Sequence, residues 1–288
     1  MIVLDGKKLS QKLEEGFRER IIQLKKKNIV PGLAVILIGD NIESVTYVNM
    51  KQKMCSKLGI ESQLYSFSKK VTKEKVIQKI KHLNNEDSIH GILIQLPLPN
   101  TLNQNEIVNA ISPKKDVDGL TILNSGKLLQ KSDILFYPCT PLGCIRLLDE
   151  YNIDVKGMNI SIIGASSLVG LPLSLMLLQK GATVTICHID TIDTKNITIH
   201  SDMIITCCGV PELVKKDWVK KDAIVVDIGF NKIEDNSKKG YHLVGDVDYE
   251  NIKNKVKYIT PVPGGIGPMT ISSLMDQTIK SCERFAKL

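Results

Sequence analysis

The sequence lacks the patterns that mark secreted, membrane-spanning and metal-binding proteins. Its longest uninterrupted apolar run is LAVILI, residues 33–38, whereas a helix needs about 20 apolar residues to cross a bilayer. The N-terminal stretch MIVLDGKKLSQKLEEGF has no secretory hydrophobic region. The seven cysteines form no C-x-x-C pair and the five histidines form no H-E-x-x-H motif, so neither a disulfide framework nor a metal site is indicated. We therefore predict a cytoplasmic protein that holds no metal ion.

The chain is basic but lacks the motifs of nucleic-acid-binding proteins. Its formal net charge is +7, and the lysines occur in short runs spread along the chain. No aromatic-rich RNA motif or zinc finger accompanies these runs. A mild positive field favours anionic small molecules. We predict a small-molecule ligand, and neither a nucleic-acid nor a membrane partner.

What the sequence does contain is an alternation of helical and strand periodicity. In the first half, strands are predicted at LAVILIG, at residues 61–67 and at HGILIQL. Helices are predicted at residues 43–57 and from the N-cap Thr72 to Leu83. An earlier helix has its apolar positions at Leu9, Leu13, Phe17, Ile21 and Leu24. Continuously apolar strands between helices are typical of parallel sheets covered on both faces.

A second alternating series starts near residue 157. Strands are predicted at MNISIIG, ATVTIC, SDMIITCCG, AIVVDIG and KYITPVP. This spacing predicts a doubly wound, Rossmann-like parallel sheet. We therefore predict an α/β protein with two α/β domains that flank a cleft: residues 1–140, with a C-terminal helix at 270–288 packing back on them, and residues 141–269.

A glycine-containing turn opens the second series, directly after a strand. The sequence GASSLVG, residues 164–170, has the spacing G-x-S-x-x-x-G. Gly164 would permit the tight turn, and backbone N–H groups at the helix start would face a pyrophosphate. Ser166 would add a hydroxyl donor, and Gly170 would allow close packing of helix and strand. A plain strand-to-helix turn is the alternative.

The end of the following strand bears on the choice of cofactor. An acidic residue there favours the free ribose of NAD, whereas arginine accommodates the 2′-phosphate of NADP. The sequence is CHIDT, with Asp190 present and no Lys or Arg before Lys195. Local charge thus favours NAD, and His188 is interpreted as a structural or solvated residue.

Polar residues follow the strands of the first half. Tyr47 and Lys51 lie four residues apart on a predicted helix, and Gln95 ends a strand before Leu-Pro-Leu-Pro. Asp116 and Asp118 belong to KKDVDG. A lysine near a glutamine and an aspartate can have its pKa set for proton transfer. The alternatives are a surface lysine, a glutamine that bonds only to backbone, and an ordinary turn.

The segment TPVPGGIGPMT, residues 260–270, combines three prolines with three glycines. Its composition predicts a loop with a preset path, whose amides could bind a planar ligand or close over a cofactor. Such a segment is too stiff for a simple linker.

These motifs occur in an order that resembles the bifunctional methylenetetrahydrofolate dehydrogenase/cyclohydrolase family. They are Y-x-x-x-K, Q-L-P-L-P, K-D-V-D-G, P-C-T-P, G-x-S-x-x-x-G-x-P and T-P-V-P-G-G-I-G-P-M-T, and they span essentially the whole chain. The resemblance implies a homodimer that oxidises 5,10-methylenetetrahydrofolate with NAD(P)⁺ and hydrolyses the methenyl product to 10-formyltetrahydrofolate. The first domain would hold tetrahydrofolate derivatives, and the second a nicotinamide cofactor.

The resemblance also implies roles for individual residues. Lys51 would transfer protons, Gln95 would hold it, and Asp118 would bind the pterin. Tyr47 would stack on the aminobenzoate ring. The folate pocket would further include Ser44, Pro263, Gly264 and Gly265. The cofactor would contact Gly164, Ala165, Ser166, Ile189 and Phe230.

The chain departs from the family pattern near the expected 2′-phosphate. Many members have arginine where this chain has Ala165, and a basic or hydroxyl residue where it has Ile189. Phe230 replaces a commoner isoleucine, and Leu142 a frequent lysine. NADP is the usual family cofactor, and Ala165, Ile189 and Asp190 keep NAD as an alternative.

Three other functions compete with this one. A shikimate-dehydrogenase-like enzyme would lack Q-L-P-L-P and P-V-P-G-G. In a short-chain dehydrogenase the Y-x-x-x-K motif would follow the dinucleotide turn, whereas here it precedes it. A non-catalytic folate-binding or nucleotide-binding protein would not need Lys51, Gln95 and Asp118 together.

Overall fold

The structure is a computed structural model that describes residues 1–235 and 240–287. Its strands are β1 Ile2–Val3, β2 Gly32–Ile38, β3 Glu61–Phe67, β4 Gly91–Ile94, β5 Asn159–Ile163, β6 Thr183–Cys187, β7 Met203–Thr206, β8 Ile224–Asp227, β9 Asn231–Glu234, β10 Tyr241–Val244 and β11 Tyr258–Ile259. Its α-helices are α1 Gly6–Lys25, α2 Ile42–Leu58, α3 Lys73–Asn84, α4 Gln104–Val108, α5 Ile122–Gln130, α6 Cys139–Glu150, α7 Gly170–Gln179, α8 Thr194–Thr198, α9 Tyr249–Ile252 and α10 Ile266–Phe285.

The chain forms two compact units, which we name after a residue in each. The Lys51 unit consists of Lys12–Cys139 and the residues from Ile271 onwards, and the Gly164 unit of Met1–Gln11 and Thr140–Thr270. The sequence pattern groups residues 1–11 with the first half, but in the structure they belong to the Gly164 unit. The reason is β1, which pairs in parallel with β11 through Ile2–Tyr258 and Val3–Ile259. A strand of two residues is too short to be recognised by its periodicity.

The Lys51 unit is built on a parallel sheet with the order β3-β2-β4. Alternate residues of β2 point to opposite faces. Leu33, Val35 and Leu37 pack in a core that includes residues of α1, α2 and α10. Ala34 and Ile36 pack in a second core with residues of α3 and α4. Burial of both faces explains why this strand is apolar throughout.

Capping residues fix the helix that follows β2. The Asn41 side chain accepts a hydrogen bond from the backbone N–H of Ser44 at 3.0 Å, so it caps the start of α2. Gly59 ends α2 in the left-handed conformation, with φ of 81°. Thr72 occupies the predicted N-cap of α3, although its hydroxyl makes no capping hydrogen bond.

The Gly164 unit contains a six-stranded sheet with the order β1-β11-β8-β7-β5-β6. All neighbouring strands in it are parallel. From β5 the chain passes to β6 on one side, and then returns to form β7, β8 and β11 on the other side. The order therefore reverses between β5 and β7, and the predicted doubly wound sheet is confirmed.

Two features of the Gly164 unit differ from the prediction. An antiparallel hairpin of β9 and β10 follows the main sheet strand β8, and the sequence pattern does not indicate it. The predicted loop over residues 260–270 is wrong in its second half, because α10 begins at Ile266. Pro268 lies in the first turn of that helix, where a missing backbone N–H costs no hydrogen bond.

None of the helices in residues 1–235 and 240–287 combines the length and the apolar character that a membrane span requires.

Candidate functional site

One face of α2 presents polar side chains that are withdrawn from water. Ser44, Tyr47 and Lys51 are three and four residues apart, so they share this face. Ser44 is 4% exposed and Lys51 is 8% exposed. Tyr47 is partly buried. The exposure of Lys51 excludes the alternative of a surface lysine, and a buried amine needs a specific partner.

Gln95 is that partner. The Lys51 Nζ donates a hydrogen bond to Oε1 of Gln95 at 2.9 Å. The other end of the amide is also fixed, because Nε2 donates to the carbonyl of Leu96 at 2.7 Å. Gln95 therefore bonds to a side chain as well as to backbone, which excludes the alternative of a glutamine that bonds only to backbone. Its amide holds the lysine amine in one orientation.

The position of Gln95 in the sheet favours a ligand site. The chain leaves β2 to form β3 on one side and β4 on the other, so the order reverses between β2 and β4. Gln95 directly follows β4, and its backbone N–H bonds to Ile36 at 2.9 Å. In open α/β sheets, ligands bind at such a reversal, beyond the carboxyl ends of the strands.

Asp118 completes the polar group around the lysine. Burial lowers the pKa of Lys51, while the nearby carboxyl of Asp118 raises it. Burial likewise raises the pKa of Asp118, and Lys51 and hydrogen bonds from Cys139 oppose that shift. Desolvation thus favours the neutral forms of both groups, and their attraction favours the charged forms. The protonation state of Lys51 is thus set by these two opposing effects.

Tyr47 remains a neutral phenol over the physiological pH range. Burial, and secondly the charge of Glu43, raise its pKa to about 12. A neutral phenol can stack through its ring and can donate a hydrogen bond through its hydroxyl.

The two aspartates of KKDVDG have different tasks. Asp116 is 1% exposed. Its carboxylate accepts hydrogen bonds from Leu120 N at 3.1 Å, Thr121 N at 2.9 Å and Asn124 Nδ2 at 2.7 Å. Burial raises the pKa of Asp116 to about 6. Asp116 therefore ties the turn together, while Asp118 interacts with the lysine.

Cys139 is a member of this site that the sequence does not identify. Its thiol is buried, lies 3.4 Å from the carbonyl of Val117 and hydrogen-bonds to Asp118. Burial raises its pKa well above the usual range, with the Asp118 charge as the second cause, so the thiol stays protonated. The P-C-T-P motif was the available signal, but it does not show what the cysteine contacts.

The glycine turn of the second unit is built for close backbone approach. Gly164 directly follows β5 and has φ of +125°, and a Cβ there would lie 2.6 Å from the carbonyl oxygen of Cys207. A Cβ on Gly170 would lie 1.9 Å from the carbonyl oxygen of Gly164. Both positions thus require glycine. Gly164 follows β5 and Cys207 follows β7, and the strand order of the sheet reverses between these two strands.

The residues of this turn suit a dinucleotide phosphate. Ser166 and Ser167 are exposed ahead of α7, and Ala165 is partly buried. The Ser166 hydroxyl accepts the Val169 N–H at 3.2 Å, and its own proton is free to donate. A helix start beyond a tight glycine turn at a reversal of strand order is the arrangement that binds dinucleotides.

The loop after β6 is open to solvent. Ile189 is 98% exposed. Next to it the Asp190 carboxylate lies 3.5 Å from Nδ1 of His188, and both side chains are exposed. Asp190 is thus exposed in this loop, and its contact with a ribose stays a prediction.

Asp246 fixes the loops that follow β7 and β8. Its Oδ2 accepts from the backbone N–H of Cys208 at 2.8 Å and of Gly209 at 3.2 Å. Its Oδ1 accepts from Asn231 Nδ2 at 2.9 Å. Phe230, predicted to contact the cofactor, directly precedes Asn231. Sequence inspection misses this aspartate because its bonds join distant loops.

The start of the Pro-Gly segment is anchored in the same unit. The Gly265 N–H bonds to Pro261 at 2.8 Å, and the Lys7 N–H bonds to Gly264 at 2.9 Å. Gly264 has φ of +117°, and Pro263 is exposed. Their contact with folate stays a prediction.

Comparison with known proteins decides the family. Residues 4–118 match the catalytic domain of tetrahydrofolate dehydrogenase/cyclohydrolase, and residues 138–286 match its NAD(P)-binding domain. The chain belongs to the tetrahydrofolate dehydrogenase/cyclohydrolase family. The predicted family and enzyme class are thereby confirmed.

Relatives of this family cover the full chain. The bifunctional protein FolD of Nautilia profundicola is 47% identical over 100% of this chain and 99% of its own. A crystal structure of the FolD methylenetetrahydrofolate dehydrogenase/cyclohydrolase of Campylobacter jejuni is 46% identical, with a TM-score of 0.93 and coverage of 99% of both chains. The Trypanosoma brucei enzyme, solved with NADP and an inhibitor, is 32% identical, with a TM-score of 0.96 and coverage of 100% and 99%.

Proposed function

We propose that this member of the family catalyses two consecutive reactions on a tetrahydrofolate-bound one-carbon unit. It oxidises 5,10-methylenetetrahydrofolate with a nicotinamide cofactor, and hydrolyses the 5,10-methenyl product to 10-formyltetrahydrofolate. The observation that carries this proposal is the buried Lys51 amine, held at 2.9 Å by Gln95 and electrostatically coupled to Asp118.

In the oxidation, a bound nicotinamide cofactor would supply the acceptor for the hydride that leaves the methylene carbon. The chain contributes orientation more than acid–base chemistry, because the methenyl product is a stabilised cation. Burial lowers the pKa of Lys51. This shift favours the neutral amine, which is the form that does not repel the cation.

In the hydrolysis, Lys51 moves the protons. The neutral amine takes a proton from the water molecule that attacks the methenyl carbon, and a C–O bond forms. The resulting ammonium returns a proton to N5 as the C–N5 bond breaks, and the hydroxyl proton leaves to solvent when the formyl C=O forms. The net reaction consumes one water and releases one proton. Gln95 keeps the amine directed at the reacting carbon.

Folate binding is proposed for the neighbouring residues. Asp118 hydrogen-bonds the pterin, and the neutral ring of Tyr47 stacks on the aminobenzoate group. Ser44 lines the pocket from the first turn of α2. The roles predicted for Pro263, Gly264 and Gly265 belong to the same proposal.

NADP is the proposed cofactor, bound by Gly164, Ala165, Ser166, Ile189 and Phe230. The matching domain of the family binds NAD(P), and the Trypanosoma brucei relative was solved with NADP, which supports this choice. One observation favours NAD instead, because the exposed Asp190 carboxylate would repel a 2′-phosphate and could bond a free ribose hydroxyl.

A homodimer in the cytoplasm is proposed for the assembly and location. The seven cysteines are free thiols, as expected in a reducing compartment. In the described residues β3 pairs only with β2, which leaves a strand edge available to a second copy. Light scattering of the purified chain tests the dimer.

One assay tests the proposed reactions. The purified chain is given 5,10-methylenetetrahydrofolate with NADP⁺ or with NAD⁺, and separately 5,10-methenyltetrahydrofolate without nicotinamide. We expect cofactor reduction in the first reaction, faster with NADP⁺, and 10-formyltetrahydrofolate in both. Absence of both reduction and hydrolysis would overturn the proposal.

A further inference from the structure

A glutamine of α10 joins two separate segments of the Lys51 unit. Gln277 is 3% exposed. Its Nε2 donates to the carbonyls of Val117 and Tyr137, both at 2.8 Å. Its Oε1 accepts from the backbone N–H of Tyr137, also at 2.8 Å. One buried amide thus satisfies three backbone groups.

Both segments carry a polar group of the lysine site. Val117 directly precedes Asp118, and Tyr137 lies two residues before Cys139. Cys139 itself hydrogen-bonds to the Asp118 carboxylate, and its sulfur lies 3.5 Å from Nε2 of Gln277. Gln277 therefore fixes the backbone on both sides of the Asp118–Cys139 contact.

The same helix also contacts the segment that carries the lysine. Met275 lies 3.5 Å from the sulfur of Cys55, which is one turn beyond Lys51 on α2. The helix α10 thus touches the elements that present both the amine and the carboxylate, although it contributes neither group.

We propose that Gln277 is a positioning residue that sets the location of the Asp118 carboxylate for folate binding and hydrolysis. This inference rests on the proposed function of the Lys51 site. An apolar side chain in place of the amide removes these three hydrogen bonds. Both Tyr137 groups then lose this partner, and the Val117 carbonyl keeps the Cys139 thiol at 3.4 Å, so the two segments shift relative to each other. Asp118 lies one residue from the nearest of these groups, so it moves with them.

Ser281 offers a matched control on the same helix face. It lies one turn beyond Gln277 and is 1% exposed. Its hydroxyl lies 2.5 Å from the carbonyl of His90 and 3.1 Å from that of Lys114. It therefore anchors the same segment, but at the end away from Asp118. If Gln277 only stabilised the fold, substitutions of Gln277 and Ser281 would change Tm and the KM values in the same way.

The test compares Gln277→Met and Ser281→Ala in the full chain. We measure Tm, the KM for 5,10-methylenetetrahydrofolate, the KM for the nicotinamide cofactor, and kcat for hydrolysis. For Gln277→Met we expect the folate KM to rise roughly tenfold with the cofactor KM unchanged, as follows when one buried polar interaction is lost. For Ser281→Ala we expect a lower Tm with both KM values unchanged. Equal effects of the two variants on Tm and on both KM values would overturn the inference.

Gln277→Glu provides a second variant if the methionine variant does not fold. A protonated carboxyl keeps an acceptor and regains one donor, whereas a carboxylate has no donor. The measured quantity is the folate KM of Gln277→Glu divided by the folate KM of the wild type at the same pH. We expect this ratio to fall towards one as the pH is lowered. A ratio that does not change with pH contradicts the positioning role. A wild-type chain without turnover would instead refute the proposed function, so the two failures are distinguishable.

Discussion

The amine of Lys51 and the amide of Gln95 are joined by a hydrogen bond of 2.9 Å between residues 44 positions apart. The lysine comes from a helix face and the glutamine from the end of a parallel strand. Burial lowers the pKa of the amine, and the glutamine orients it without adding charge. Because Gln95 is neutral, the pKa of Lys51 is determined mainly by desolvation, which lowers it, and by the Asp118 charge, which raises it.

Replacing Gln95 by glutamate should shift the pH dependence of hydrolysis. A carboxylate beside Lys51 stabilises the ammonium form and raises the pKa of the amine. Because the neutral amine accepts the proton from water, the rate should reach its plateau at a higher pH than in the wild type. Gln95→Leu should lower kcat by roughly 100-fold at every pH, since the amine loses its orientation.

The pH profile of kcat for methenyl hydrolysis checks both variants. Gln130→Glu, at the exposed end of α5, adds the same charge far from this contact in sequence and should leave the profile unchanged. A Gln95→Glu profile that coincides with the wild type would count against the role of this hydrogen bond.

Replacing Asp116 by asparagine should change stability in a pH-dependent way. Burial raises the pKa of Asp116 to about 6 in the folded chain, against about 3.9 when unfolded. Between these values the folded chain holds a proton that the unfolded chain has released. The stabilising contribution is therefore fully present below about pH 4 and is lost as the pH rises through 6.

The free energy of unfolding of the wild type, minus that of Asp116→Asn, should accordingly be larger at pH 4 than at pH 7 by about 1–3 kcal/mol. Urea unfolding of both chains at the two pH values measures it. An equal difference at both values would show that Asp116 is not held as described.

Replacing Gly164 by alanine should weaken cofactor binding and the fold together. The new Cβ would lie 2.6 Å from the carbonyl oxygen of Cys207, at φ of +125°, so the turn must shift. We expect a loss of about 1–3 kcal/mol in the free energy of unfolding and a higher cofactor KM. Gly126→Ala, inside α5 with nothing within 4 Å of the added Cβ, should instead stabilise by about 0.5–1 kcal/mol. A Gly164→Ala chain with wild-type stability and cofactor KM would contradict the tight turn.

Replacing Asp190 by serine should favour NADP. Removal of a negative charge near the expected 2′-phosphate should raise the ratio of kcat/KM for NADP⁺ to that for NAD⁺ by roughly tenfold. Ala165→Arg should raise the same ratio by adding a guanidinium that can bind phosphate. Initial rates with the two cofactors measure it, and a ratio unchanged in both variants would remove these positions from cofactor selection.

The regular elements could be predicted where local pattern and tertiary contacts agree. The strand β3 has its predicted bounds, Glu61–Phe67, and α2 ends before Gly59 as its capping glycine indicates. The pattern is misleading at residues 266–270, where glycine and proline suggest a loop but form the first turn of α10.

The candidate site could be predicted only in part, because its contacts are distant in sequence. A motif identifies Lys51, Gln95 and Asp118 as polar residues after strands. Spacing alone cannot distinguish Asp116 from Asp118, because the difference lies in the partners that each carboxylate finds, and only the resemblance to the family singles out Asp118. Gln277 bonds to Val117 across 160 positions, and periodicity in α10 indicates only its apolar face.

Replacement of Lys51 by methionine tests the central claim most directly, with Lys53→Met on the exposed face of α2 as the matched control. The measurement is the rate of 10-formyltetrahydrofolate formation when 5,10-methenyltetrahydrofolate is supplied without a nicotinamide cofactor. We predict that Lys51→Met folds, binds folate and shows no enzymatic hydrolysis, while Lys53→Met hydrolyses at the wild-type rate. Hydrolysis by Lys51→Met at the wild-type rate would contradict proton transfer by this lysine.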